Sequence, residues 1–388
     1  QDETLKKVVS LALENNKDLK IALLNIESAR ATYRIARADN FPTFDAKGSA
    51  THSKSMNSEN STSISHNYSA NISASYEIDL FGKVRSLSQS ALDSFLSTQY
   101  AANATKISLI SETITAWITL AIHQEQLKLA TETVKNLEKV YELTQKRYLA
   151  GVVSKTDVFD AKASLNEAQI SVISYSNSVE QDKNALELIV AQPLNDDLLP
   201  KNFDNHINWL MLVKPAISSN ILLARPDIMQ AEYNLKSKNA NIGAARAAFF
   251  PTISLTANSG IASRSLSDGG QNSANLDYTY AQRDIALQEY EKSIQTAFKE
   301  VNDALIIRKT INEQIQKQKE LVEAVSKSYE ISLNSYKIGI GSFLNVLTSQ
   351  RTLINAQQTL INNYLSELTN RVNLYSVFGG NEKAEVIH

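Results

Sequence analysis

Histidines are the first residues to weigh for chemistry, because imidazole both carries protons near neutral pH and ligates metals. His52, His66, His123, His206 and His388 are scattered, and none stands at His-x-x-x-His or His-Glu-x-x-His spacing. That spacing would set two rings on one helical face around a metal. His52 and His66 flank a stretch rich in Ser and Asn, which reads as a solvated loop rather than a metal site. With 0 cysteines there are no disulfides, thiolate metal sites or cysteine nucleophiles. Neither a Walker-type nor a dinucleotide-type glycine loop is present, nor is Gly-x-Ser-x-Gly, and Gly269-Gly270 reads as a turn. Carboxylates are plentiful, but on long helices most form solvated faces. No catalytic residue, metal or cofactor is therefore expected. A net charge of -2 also argues against a nucleic-acid partner or a grip on anionic lipid.

What remains is a set of turn residues. Gly151 and Gly339 end helices, as C-terminal glycines do, and Ser154 and Ser342 then read as N-caps of the return helices. Asp157 and Asp160 follow the first turn. They fit either a patch of negative charge or stabilisation of a helix N-terminus, worth ~0.3–1 kcal/mol each.

Long helices must position these turns. Gly and Pro number only 11 and 6 in 388 residues, and 43% of the chain is apolar. Such a composition favours uninterrupted helices with a sizeable core. From Gly82 to about Arg147 no Gly or Pro intervenes. Ile107, Ile110, Ile114, Trp117 and Ala121 step by threes and fours, and Leu127, Ala130, Val134, Leu137 and Tyr141 continue after a phase shift, a coiled-coil-like seam. A helix of that span would be roughly 100 Å long. Pro226 suits the first turn of another helix.

The chain is duplicated. Asp18, Ala22, Asn25, Ser28 and Ala31 recur as Asp227, Ala231, Asn234, Ser237 and Ala240, 209 positions on (227 less 18). Ala36-Arg37-Ala38 and Phe41-Pro42-Thr43 recur as Ala245-Arg246-Ala247 and Phe250-Pro251-Thr252. Tyr148, Gly151, Ser154, Leu165, Ala168 and Gln169 recur as Tyr336, Gly339, Ser342, Leu353, Ala356 and Gln357, 188 positions on (336 less 148). The second half is thus 21 residues shorter (209 less 188), and the loss falls between Phe-Pro-Thr and Gly270.

Each half reads helix, strand region, long helix, tight turn, long helix. Tyr68, Ala70, Ile72, Ala74, Tyr76, Ile78 and Leu80 alternate with Ser69, Asn71, Ser73, Ser75, Glu77 and Asp79. Phe44, Ala46, Gly48 and Ala50 alternate with Asp45, Lys47, Ser49 and Thr51, and Ile253, Leu255 and Ala257 with Thr252, Ser254 and Thr256. This is the weak signature of a membrane barrel strand. It fits a sandwich strand with one solvated face as well, and periodicity does not separate the two. The partner of the 253–262 strand is missing, and a strand of about 10 residues is expected before Gly269. No run of about 18 apolar residues predicts a membrane helix, and Gln1 opens on an amphipathic segment, as expected if a leader has been removed.

The chain resembles the TolC family of outer-membrane factors, in its OprM-like lipoprotein branch. The resemblance rests on Ala36-Arg37-Ala38-Asp39-Asn40-Phe41-Pro42, Glu77-Ile78-Asp79-Leu80-Phe81-Gly82, Arg225-Pro226-Asp227-Ile228 and Ile242-Gly243-Ala244-Ala245-Arg246-Ala247-Ala248-Phe249-Phe250-Pro251. Tyr290-Glu291-Lys292-Ser293-Ile294-Gln295-Thr296-Ala297-Phe298 and Val372-Asn373-Leu374-Tyr375 add to it. It implies a mixed fold, a long antiparallel coiled-coil helical barrel plus a 12-stranded transmembrane β-barrel shared by a homotrimer, four strands from each protomer. The expected segments are a helical start at 1–40, a barrel hairpin at 41–82, a long helical hairpin and connector at 83–225 and a second-repeat helix at 226–249. An incomplete second hairpin at 250–270, with a gap near 268, precedes a second helical hairpin and tail at 271–388. A lipidated cysteine ahead of the first helix is also usual in this branch, and this sequence lacks it.

The same resemblance implies an exit duct of a tripartite efflux pump that passes small molecules such as drugs, with metal ions or secreted proteins as the alternative cargo. The implied partners are a periplasmic adaptor (membrane fusion) protein, an inner-membrane transporter of the resistance-nodulation-division (RND) type, and outer-membrane lipid. The adaptor-contact tips are Leu149, Ala150, Gly151, Val152 and Ser154, with Ile338, Gly339, Ile340, Gly341 and Ser342. The periplasmic gate is implied at Leu344, Thr348 and Arg351, with Asp157 and Asp160 as further candidates and as partners for Arg351. Thr348 stands where the branch has Asp. A structural coiled-coil scaffold with a soluble β-domain is the competing class. It differs in that only the duct partitions into detergent as a trimer.

Overall fold

The computed structural model describes residues 3–56, 62–200, 220–256 and 269–380. Helices α1 (Glu3–Asn15) and α2 (Lys17–Ala38) lead into strands β1 (Thr43–Met56) and β2 (Thr62–Ile78), then α3 (Lys83–Leu149) and α4 (Lys155–Val190). A 3-10 turn at Asp196–Leu198 and a short α5 (Asn220–Leu223) connect to the second half, α6 (Pro226–Ala247), β3 (Ile253–Thr256), α7 (Gln271–Lys337) and α8 (Phe343–Val377). The duplication is plain in these bounds. α3 and α7 are both 67 residues long, α2 and α6 both 22. α2 and α6 start 209 positions apart (226 less 17), and α3 and α7 188 apart (271 less 83), the two offsets read from the sequence. No described helix is long and apolar enough to cross a membrane.

The strands form one antiparallel sheet in the order β1-β2-β3. β3 joins the first half's hairpin, with Leu255 opposite Tyr76 and Ile253 opposite Ile78. Its expected partner before Gly269 lies outside the described residues. The β1–β2 register sets Phe44 against Ala74, Ala46 against Ile72 and Ala50 against Tyr68 on one face, and Asp45 against Ser73, Lys47 against Asn71 and Ser49 against Ser69 on the other. Because side chains alternate, the register sorts every apolar residue to one side. Phe44 is 76% and Ile72 81% exposed. A sandwich would bury that face, so the apolar face belongs to a surface that something other than this sheet covers.

Asp79 ends the strand region and starts α3. Its carboxylate accepts the Val84 and Arg85 amides at 3.0 Å each and the Arg85 Nε at 3.1 Å. Burial pushes the Asp79 pKa up, but these donors outweigh it and hold the carboxyl below its usual range. A lowered folded-state pKa gives stability that is present above the free value of about 3.9 and is lost as pH falls through the folded value. Asp79→Ala is expected to cost about 1 kcal/mol at pH 7. The readout is faster amide exchange at Val84 and Arg85, with the difference from wild type shrinking below about pH 4.

The described chain divides into two compact units. In the unit formed by Ala22–Ala102 and Pro226–Ile294, small residues bring helices close. The Ser237 hydroxyl lies 3.0 Å from that of Ser90 and 2.9 Å from that of Ser94. A Cβ on Gly243 would stand 2.6 Å from the Ser86 hydroxyl. In the other unit the largest core joins Leu5, Val8 and Ala12 of α1, Trp117, Ile118, Leu120 and Ile122 of α3, Leu186 and Val190 of α4, and Leu368 and Val372 of α8. The seam expected on α3 widens here. Ile118, Leu120 and Ile122 lie off its threes and fours yet are buried, because this core gathers α1, α4 and α8 around α3, more partners than a two-helix seam has.

Candidate functional site

The two tight turns are built alike. Gly151 takes φ 74° and Gly339 φ 88°, a left-handed region that side chains disfavour. The Gly151 amide donates to the Tyr148 carbonyl at 2.9 Å and the Val152 amide to that of Arg147 at 2.9 Å. At the second turn the Gly339 amide donates to Tyr336 and the Ile340 amide to Ser335, both at 3.0 Å. These paired bonds are a Schellman close, which satisfies the last carbonyls of α3 and α7.

The return helices are capped by the expected serines. The Asp157 amide donates to the Ser154 Oγ at 3.1 Å, and the Ser154 amide donates back to the Asp157 carboxylate at 3.2 Å. This capping box accounts for Asp157 as a helix-start residue. Ser342 Oγ accepts the Asn345 amide at 3.3 Å, with no carboxylate to reciprocate. Asp160 is exposed.

Around these caps the turns present bare apolar side chains. Leu149, Val152, Ile338 and Ile340 are exposed, beside the small or polar Ala150, Gly151, Ser154 and Ser342. Gly341 is the crowded exception, since a Cβ there would lie 3.0 Å from the Tyr336 amide nitrogen.

Beneath the turns, Tyr336 ties the hairpins together. It is buried, its hydroxyl donates to Thr144 Oγ1 at 3.1 Å, and its ring lies 5.3 Å from Phe343. The Arg147 guanidinium sits 4.6 Å from the centre of that ring and donates to the Tyr336 carbonyl. Val140, Ala161 and Val346 complete the cluster. Sequence reasoning passes over Arg147, Thr144 and Phe343. The available signal was the recurrence of Tyr148 as Tyr336, which marks the position without showing what it touches.

α8 splits into two faces. Phe343, Val346 and Gln350 are buried, whereas Leu344, Thr348 and Arg351 are exposed together, as positions four and seven residues on must be. Leu344 is 69% exposed. Thr348 Oγ1 donates to the Leu344 carbonyl at 3.0 Å and so is turned back on its own helix. Within the protomer the expected partners of Arg351, Asp157 and Asp160, give way to another carboxylate. Arg351 donates to Glu167 of α4 at 3.3 Å, nearly three turns beyond Asp157 on the return helix, while Asp157 is engaged in its cap.

A family model described as outer membrane efflux protein matches residues 8–192 and 217–380. The chain belongs to that family. The toluene efflux pump outer membrane protein TtgC of Pseudomonas putida is 41% identical over 404 residues, covering 98% of this chain and 83% of the relative. That alignment is longer than the 388-residue chain, so TtgC has residues with no counterpart here. The solved structure of CusC superposes with a TM-score of 0.88 at 32% identity, covering 98% of this chain and 93% of that one. The Campylobacter jejuni CmeC outer membrane channel superposes with a TM-score of 0.85 at 27% identity, covering 98% and 86%. CmeC, the individual relative that the sequence segments point to, is thus one family likeness among several.

As an outer membrane efflux protein, the chain is one protomer of a homotrimeric duct in the outer membrane of a Gram-negative bacterium, with a large periplasmic helical part. It forms the exit of a tripartite pump, alongside an adaptor and an inner-membrane RND transporter.

Proposed function

We propose that the two turns form the periplasmic mouth of this duct, that Leu344, Thr348 and Arg351 line its narrowest point, and that the cargo is small hydrophobic molecules. The observation that carries the first two parts is the apolar exposure of Leu149, Val152, Ile338, Ile340 and Leu344 in one end of the helical hairpins. Bare apolar side chains concentrated at two turns call for a partner, and the adaptor meets Leu149, Ala150, Gly151, Val152 and Ser154 together with Ile338, Gly339, Ile340, Gly341 and Ser342. Leu344 sits just inside, on a separate exposed face. Thr348 adds no charge to the constriction, and Asp157 and Asp160 supply negative charge at the mouth.

The duct catalyses no reaction. Transport is passive through it, and direction comes from the pump. The hydrophobic cargo is favoured by the higher identity and fuller coverage of TtgC, named for toluene, over the Escherichia coli cation efflux protein CusC, 34% identical over 82% of this chain. Loss of this chain from a cell that keeps its pump should sensitise the cell to toluene and hydrophobic drugs. Sensitivity to metal cations alone would overturn the cargo assignment.

In the barrel the face carrying Phe44, Ile72 and Tyr68 meets lipid, and Ser73 faces away from it. Spin labels at Ile72 and Ser73 are expected to show opposite accessibility to lipid-soluble and water-soluble quenchers. Equal accessibility would contradict the barrel. Ile72→Lys is expected to cost about 2–4 kcal/mol if the position is near the bilayer midplane.

A further inference from the structure

His52 and His66 lie in strands, not in the solvated loop that their flanking composition implies, and the β1–β2 register makes them direct partners. Their ring centroids are 4.6 Å apart with planes at 73°, and their Nδ1 atoms face each other in contact. The Tyr68 ring stands edge-on to His52 at 5.7 Å. Both imidazoles are exposed.

Their place along the strand matters. They share the apolar face with Ala50 and Tyr68, and beyond them the face turns mixed, with Lys54 opposite Ile64 and Met56 opposite Thr62. His52 stands nine residues beyond Thr43, roughly 30 Å along an antiparallel strand. At the usual tilt of a membrane barrel strand this is a rise of about 23 Å, close to the roughly 25 Å of a barrel's lipid-facing band. The pair therefore sits at the far boundary of the band from the helices, within reach of external water.

Two imidazoles with converging nitrogens chelate borderline divalent ions. Such ions take imidazole nitrogen at about 2.0–2.1 Å. Directly opposed strand residues have Cβ atoms about 4.5–5.5 Å apart, a separation that two imidazoles can close around one ion by small side-chain rotations. Hard ions such as calcium and magnesium prefer oxygen and do not suit this pair. No group of three or more His, Cys, Asp or Glu side chains suited to a metal occurs among the described residues. The remaining positions on the ion fall to water, which makes this an open, exchangeable site.

We propose that His52 and His66 of each protomer bind one borderline divalent cation, zinc or copper, in the outer part of the β1–β2 pair, stapling the strands before the ladder ends at Met56 and Thr62. The site is independent of the cargo reading, since it lies on the lipid-facing side of the strands and outside the route through the duct.

The test is titration of the tag-free, detergent-solubilised trimer with zinc chloride in a calorimeter. One zinc per protomer is expected, with His52→Gln and His66→Gln each weakening binding at least tenfold and His206→Gln leaving it unchanged. Size-exclusion of each variant as a trimer confirms that the exposed substitutions leave the assembly intact. Wild-type protein that binds no zinc overturns the proposal, as does undiminished binding by a trimeric His52→Gln, His66→Gln double variant.

Discussion

Leu344→Ala is expected to raise the conductance or open probability of the isolated trimer in a planar bilayer. Leu344 is an apolar side chain held 69% exposed on a face of α8 whose reverse is packed by Phe343, Val346 and Gln350. Three symmetry-related leucines converging on one axis close a pore to ions by excluding water, without filling it. Alanine shortens each side chain and lets water in. Arg351→Ala is expected to act in the same direction but more weakly. Its pairing with Glu167 at 3.3 Å leaves both side chains 63% exposed, and exposed pairs contribute about 0–1 kcal/mol each. Three copies make the effect measurable but not dominant. If Leu344→Ala leaves conductance unchanged while a substitution at Asp157 or Asp160 raises it, the gate belongs to the first hairpin. Opening in the assembled pump then results from the adaptor binding the splayed form more tightly than the closed one.

Tyr336→Ala is expected to loosen both turns at once. Tyr336 is 1% exposed and packs against Phe343 and under Arg147. Removing a buried aromatic ring of this kind costs about 3–5 kcal/mol. The ring lies under the Arg147 guanidinium and its hydroxyl bonds Thr144, both on α3, so the loss reaches the first hairpin as well as the second, although the main-chain carbonyl of residue 336 that Arg147 also bonds is kept. Tyr336→Phe keeps the ring and forfeits only the hydroxyl bond to Thr144, whose own hydroxyl still donates to the Val140 carbonyl at 2.8 Å. It should cost about 0.5–1.5 kcal/mol. Amide exchange is the suitable readout because it reports local opening. Faster exchange at 145–152 and at 338–342 together supports the clamp. Faster exchange confined to 338–342 shows that Tyr336 serves its own hairpin only.

Much of this architecture is legible in the sequence, because its signals are local. Gly151 and Gly339 occupy the left-handed positions that glycine alone adopts without cost, and Ser154 and Ser342 cap the return helices α4 and α8. The two offsets of the repeat reappear as the spacing of helix starts. The period of two from Tyr68 to Ile78 lies within β2.

Features that depend on pairing at a distance were hidden. Serine, asparagine and lysine are poor strand formers, so 52–56 and 62–67 read as loop until the register continued the ladder through them. The opposition of His52 and His66 came with that ladder. Glu167 and Arg351 stand 184 positions apart, and Arg147 and Tyr336 189 apart, with no spacing rule to join them. Burial all around α3 near Ile118 depends on α1, α4 and α8 meeting in one core, which a seam read along one helix does not foresee.

The central claim is that this chain is one third of a membrane duct closed at its periplasmic end. The most direct measurement is single-channel recording on the purified, detergent-extracted protein, with its mass determined in the same detergent. The account predicts a trimer that inserts into planar bilayers as a single conducting unit, nearly closed as wild type and opened by Leu344→Ala. A detergent-independent soluble monomer, or a trimer in which neither wild type nor Leu344→Ala passes current, would contradict it.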